Sequence, residues 1–89
     1  MKSRTTRRLR EMLARMPGRV QQQARDAFRL FSQSPSHPGL RFKPVNVPLA
    51  LYSARVGLGY RAIAKLEGDT AIWFWVGSHA DYDQFLSQL

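Results

Sequence analysis

The stretch Ser34-Pro35-Ser36-His37-Pro38-Gly39 splits this chain into two parts with different hydrophobic periods, and so constrains the fold more than any other feature. Two prolines and a glycine in six residues stop a helix, and helical propensity does not return until the C-terminal end. Ahead of the break, Leu9, Met12, Leu13 and Met16 recur at i, i+3, i+4 and i+7, which predicts an amphipathic helix over Thr5–Met16 with Thr5 or Thr6 as its cap. Pro17-Gly18 ends that helix. A second is predicted from Arg19 to Ser32, with Val20, Ala24, Ala27, Phe28 and Phe31 on one side and Arg19, Arg25 and Arg29 off it. The pair reads as an αα-hairpin.

Beyond the break the pattern is that of strands. Leu40–Val45 alternates apolar and basic residues, and Pro44 and Pro48 confine that strand to an edge. Leu49–Val56 and Tyr60–Leu66 follow, joined by Gly57-Leu58-Gly59, and Glu67-Gly68-Asp69 turns the chain into the β-rich run Thr70–Val76. In that last strand Ile72, Phe74 and Val76 are expected to face the core, leaving Trp73 and Trp75 partly exposed. Ser78 with Asp81 three residues on starts a final helix, whose stripe is Tyr82, Phe85, Leu86 and Leu89. The expected architecture is therefore α+β: an N-terminal helical hairpin, an antiparallel sheet of three to four strands and a C-terminal helix, the helices on one side of the sheet. At 89 residues, a single domain spanning 1–89 is expected.

Charge narrows the function classes. Fourteen Lys plus Arg against six Asp plus Glu give a net charge of +8, which attracts nucleic acid, an acidic protein or an anionic surface. With no cysteine, disulfides, thiolate nucleophiles and Cys-based zinc sites are excluded, and His37 and His79 alone are a poor basis for a metal site. No metal or cofactor is expected. The longest apolar run, Ala71–Val76, is too short to span a bilayer, so no membrane association is expected. Arg7, Arg8, Arg10, Glu11 and Arg15 interrupt any signal-peptide core, which makes a cytoplasmic location the expectation.

Alternation along strands gathers cations. Arg55 shares a face with Leu49, Leu51 and Ser53, while Arg61, Ile63 and Lys65 share a face of the next strand. If the Gly57–Gly59 link makes these strands neighbours, Arg55 and Arg61 meet at one end of the sheet, and Arg41 and Lys43 add a second pair. Any one of these is an ordinary solvated charge; four on adjoining strands point to an anion site. His79 follows Gly77-Ser78 where a strand passes into a helix, and an imidazole beside fixed cations suits proton transfer at a phosphate ester. His37 has no evident partner and is expected at the surface.

Several of these segments together resemble the RelE/ParE family of small bacterial toxins. They are Tyr52-Ser53-Ala54-Arg55-Val56-Gly57, Gly59-Tyr60-Arg61-Ala62-Ile63 and Trp73-Phe74-Trp75-Val76-Gly77-Ser78-His79-Ala80-Asp81-Tyr82-Asp83, with Ser34 to Lys43 as the entry to the sheet. The resemblance covers nearly the whole chain, although the family's first strand is cut to a few residues, Met1 to Arg4 at most. It implies the toxin of a toxin–antitoxin pair, held by an acidic antitoxin. In the endonuclease branch it implies metal-free cleavage of mRNA at the ribosome, by attack of the ribose 2′-OH on the adjacent phosphate. On that reading Arg61 stabilises the scissile phosphate, Arg55 is a basic residue of the preceding strand, and His79, in a Gly-Ser-His ending, is the catalytic acid or base. Arg41, Lys43, Lys65 and Tyr82 would bind RNA. Tyr82 and Phe85 both fall near the family's late tyrosine, Phe85 being the closer alignment. The alternative is a non-catalytic binding module, such as a ParE-like gyrase inhibitor or an RNA- or protein-binding domain.

Overall fold

The computed structural model describes residues 1–89. Strand β1 (Lys2–Thr5) leads into helix α1 (Arg7–Ala14), and helix α2 (Gly18–Gln33) completes the hairpin. Then come strands β2 (Lys43–Asn46), β3 (Leu51–Val56), β4 (Tyr60–Glu67) and β5 (Thr70–Ser78), and helix α3 (His79–Ser87). Thr6 caps α1 by accepting from the Leu9 amide at 3.1 Å, so of the two threonines it is the second that serves. Ser78 caps α3 in the same way, accepting from the Asp81 amide at 3.2 Å. The Ser/Pro break closes in a 3-10 turn over Pro38–Leu40, and exposed His37 accepts there from the Gly39 amide at 3.0 Å. Arg41 then takes the left-handed conformation (φ 47°, ψ 42°), which turns the chain into β2.

The sheet has the order β1-β5-β4-β3-β2. The α+β class, the helical hairpin and the C-terminal helix are as the sequence predicts, but the sheet has five strands and is mixed. β1 pairs with β5 in parallel from Lys2↔Thr70 to Thr5↔Trp73, while the other three pairings are antiparallel. A parallel edge strand needs a crossover connection, and the helical hairpin with the rest of the sheet supplies it. β2 starts three residues later than the alternation suggested, because Leu40 and Arg41 belong to the 3-10 turn and its exit.

Both faces of the sheet are covered, not one. Leu9 of α1 and Ala24, Ala27 and Phe31 of α2 pack with Ala54, Val56, Ala62, Ala64, Trp73 and Val76 on one face. On the other, Tyr82 of α3 packs with Leu51 and Ile63, joined by Phe74, Trp75 and Phe85. Trp73 is 0% exposed, contrary to the face assigned to it by simple alternation. A β-bulge explains the reversal: Ile63 pairs with Trp75 but Ala64 pairs with Trp73, so Phe74 is an extra residue. After the bulge Phe74 and Trp75 both reach Phe85, with ring centroids 6.3 and 5.3 Å from it, whereas Trp73 packs at 5.2 Å from Phe31 on the opposite face. No helix is long and apolar enough to cross a membrane.

Candidate anion-binding site

The β3–β4 hairpin sets the site. Its register pairs Leu51 with Lys65, Ser53 with Ile63 and Arg55 with Arg61, so these six side chains share the face that α3 covers in part. Arg55 and Arg61 stand directly opposite one another, a pairing that like charges disfavour in the absence of an anion. Lys43 is paired with Ser53, which brings the basic end of β2 alongside. On the other flank Tyr60 pairs with Ser78 and Arg61 with Gly77, and the His79 amide donates to the Gly59 carbonyl at 3.0 Å. That extension of the ladder brings the first residue of α3 to the same end of the sheet.

The result is an open cleft of about 460 Å³ lined by Arg41, Lys43, Arg55, Leu58, Tyr60, Arg61 and His79. Four lining residues are permanent cations, and none is a carboxylate. Lys65, at the far end of β4 and exposed, does not line the cleft, so the two-residue alternation that placed it on the right face did not bring it to the site. Tyr82 does not open into the cleft either. It is 4% exposed and lies beneath, packed under Arg61 and against the His79 ring.

Arg61 is the unusual residue. Its side chain is buried, at 6% exposure for the residue, and no acidic side chain pairs with it. Its hydrogen bonds go to neutral oxygens: Nη2 donates to Ser53 Oγ at 2.6 Å and, more weakly, to the Arg41 carbonyl at 3.4 Å. Its Nε is buried without a partner. The guanidinium carbon lies 5.3 Å from the centroid of the Tyr82 ring, a cation–π contact that offsets part of the desolvation. Buried charges in proteins are paired as a rule, and one left with neutral partners is poised for an anion from outside. Arg55, half-buried, turns its Nε back to the Gly57 carbonyl at 3.1 Å. The His79 ring is exposed, with Nδ1 3.7 Å from Asp83 Oδ2 and its centroid 5.8 Å from that of Tyr82.

Two positions at the site were not singled out in the sequence. Ser53 is 0% exposed and receives both Arg61 and, at 3.0 Å, the Tyr82 hydroxyl; its signal was a small polar residue between Leu51 and Arg55 on one face of β3. Leu58, at the tip of the β3–β4 link, is 86% exposed on the rim of the cleft, and nothing in its sequence context marked it. Gly77 is required where it stands, since a Cβ there would come within 2.6 Å of the Trp75 ring.

Residues 18–84 match the family model described as the ParE-like toxin domain. No curated protein sequence matches the chain. Among solved structures, the fold is similar to that of a chain in the RelB–RelE antitoxin–toxin complex from Methanococcus jannaschii, with a TM-score of 0.73 and 20% identity over 92% of this chain and 96% of that one. The toxin–antitoxin complex RelBE2 from Mycobacterium tuberculosis gives a TM-score of 0.69 and 25% identity, covering 88% of this chain and 96% of that one. The isolated RelE toxin of E. coli gives 0.66 and 15% over 99% and 98% of the two chains.

Proposed function

The chain belongs to the ParE-like toxin family, and from that premise we propose that residues 1–89 act as one toxin unit, a metal-independent endoribonuclease that cleaves mRNA at the ribosome. The observation that carries the reading is Arg61: a buried guanidinium with neutral partners only, at the wall of a cleft that holds three more cations and a histidine. A single-stranded RNA backbone supplies the missing negative charge.

The chemistry follows from those groups. The ribose 2′-OH attacks the adjacent phosphorus, forming a 2′-O–P bond as the P–O5′ bond breaks. The products are a 2′,3′-cyclic phosphate and a 5′-hydroxyl. Negative charge builds on the non-bridging oxygens in the transition state, where Arg61 and Arg55 stabilise it. His79 carries the proton released by the 2′-OH to the departing 5′-oxygen. Arg41 and Lys43 hold the flanking phosphates. Lys65 and Tyr82, expected from the sequence to bind RNA, stand outside this scheme because of where they lie. The relatives solved as RelB–RelE and RelBE2 complexes support an antitoxin as the partner, and the net charge of +8 favours an acidic one.

Expression of wild type, His79→Ala and Arg61→Ala, with growth and transcript cleavage as readouts, tests this. Each substitution is expected to lower cleavage by about 100-fold or more and to relieve growth arrest. Folded variants that remain fully toxic would refute the nuclease. A gyrase inhibitor is the competing reading, favoured by the exposed Arg8, Arg15 and Arg25 of the helical hairpin, which lie away from the cleft. Inhibition of supercoiling with RNA left intact, abolished by charge reversal at those three positions, would select it.

A further inference from the structure

We infer that Ser53 and Tyr82 are positioning residues for the reaction, a buried relay that aims Arg61 and braces His79 from beneath the cleft; this rests on the nuclease reading above. Ser53 Oγ is a hub between three elements. From β4, Arg61 Nη2 donates to it at 2.6 Å; from α3, the Tyr82 hydroxyl donates to it at 3.0 Å; and the serine itself belongs to β3. Ser53 and Tyr82 are buried and, unlike Arg61, neither lines the cleft, so neither meets substrate. A guanidinium has a planar fork of donors, and spending Nη2 on Ser53 and the Arg41 carbonyl fixes the rotation of that plane. The remaining edge is thereby presented in one orientation. The Tyr82 ring carries the arrangement to the histidine: its face lies 5.3 Å from the Arg61 guanidinium, and the His79 ring meets it nearly perpendicular (78°) at 5.8 Å. One aromatic ring thus sets the distance between the phosphate-binding group and the proton carrier. A site of this kind loses rate when its supporting groups loosen, because reacting atoms misplaced by a fraction of an ångström forfeit orientation.

The test uses Ser53→Ala and Tyr82→Phe, each checked for folding by circular dichroism and thermal unfolding. On mRNA bound to ribosomes, both are expected to lower kcat about tenfold with KM changed by less than about twofold. The double variant is expected to be no slower than the worse single one, because both act through one hydroxyl–guanidinium contact. An independent readout is the Arg61 Nε–H resonance in a 1H–15N spectrum, assigned by its loss in Arg61→Lys. In the wild type it is expected to exchange slowly, and in both variants at least about tenfold faster. Wild-type cleavage that persists unchanged in Ser53→Ala and Tyr82→Phe overturns the positioning role while leaving the nuclease standing. An Nε–H signal that loosens as expected in a protein that cleaves no RNA upholds the relay as the determinant of Arg61 geometry and overturns the nuclease. Additive losses with no change in that signal would mean general destabilisation and also refute the relay.

Discussion

At the scale of single residues, function and stability pull in opposite directions at Arg61. A cation at 6% exposure with neutral partners costs desolvation that no carboxylate returns. Arg61→Met, which keeps the length and discards the charge, is therefore expected to raise the free energy of unfolding by about 1–2 kcal/mol while abolishing RNA cleavage. Urea unfolding measures it; a variant less stable than wild type would mean that the contacts with Ser53 and Tyr82 outweigh the burial of charge. The cationic residues themselves were legible in the sequence, because period-2 alternation and a short Gly-Leu-Gly link suffice to bring Arg55 and Arg61 face to face. Lys65 shares that face but lies outside the cleft, since alternation specifies a face and not a position along it. Ser53 was passed over because a serine in a strand carries no mark of its partners, which come from 8 and 29 residues away in sequence.

At the scale of elements, the helices were readable and the details of the sheet were not. The stripes of α1 and α2 and the Ser78 cap of α3 each follow from a local spacing that the chain obeys. The bulge in β5 does not, since one extra residue in a ladder leaves no trace in hydrophobic pattern, yet it sends Trp73 and Trp75 to opposite faces. β1 is also poorly marked. Its four residues, Lys-Ser-Arg-Thr, have no apolar face, and they are held by backbone pairing and by side-chain bonds at two positions: Trp73 Nε1 donates to Ser3 Oγ at 2.9 Å, and Arg10 Nη1 donates to the Thr5 carbonyl and Oγ1 at 2.7 and 3.1 Å. Ser3→Ala leaves that buried indole N–H without a partner, and is expected to cost about 1–2 kcal/mol with a change in tryptophan emission. Thermal unfolding checks the first and fluorescence the second. A melting temperature equal to wild type would show that β1 contributes little beyond its ladder.

At the scale of the whole molecule, the net charge of +8 is unevenly used. Arg7 is engaged with Glu11 and Arg29 with Asp26 along the helical hairpin, while the cleft's Arg41, Lys43, Arg55 and Arg61 have no acidic partner. Binding of a short RNA to the His79→Ala variant should therefore weaken with salt as though about four phosphates were neutralised, a slope near −3 in log K against log salt concentration. Fluorescence anisotropy at several salt concentrations measures it, and a slope near zero would mean that the cleft is not the binding site. Pro44 sits in β2, the outermost strand on that side, where its ring removes an amide donor and the register shifts before Asn46. With Lys43 exposed beside it, this margin makes a poor template for a second copy's strand.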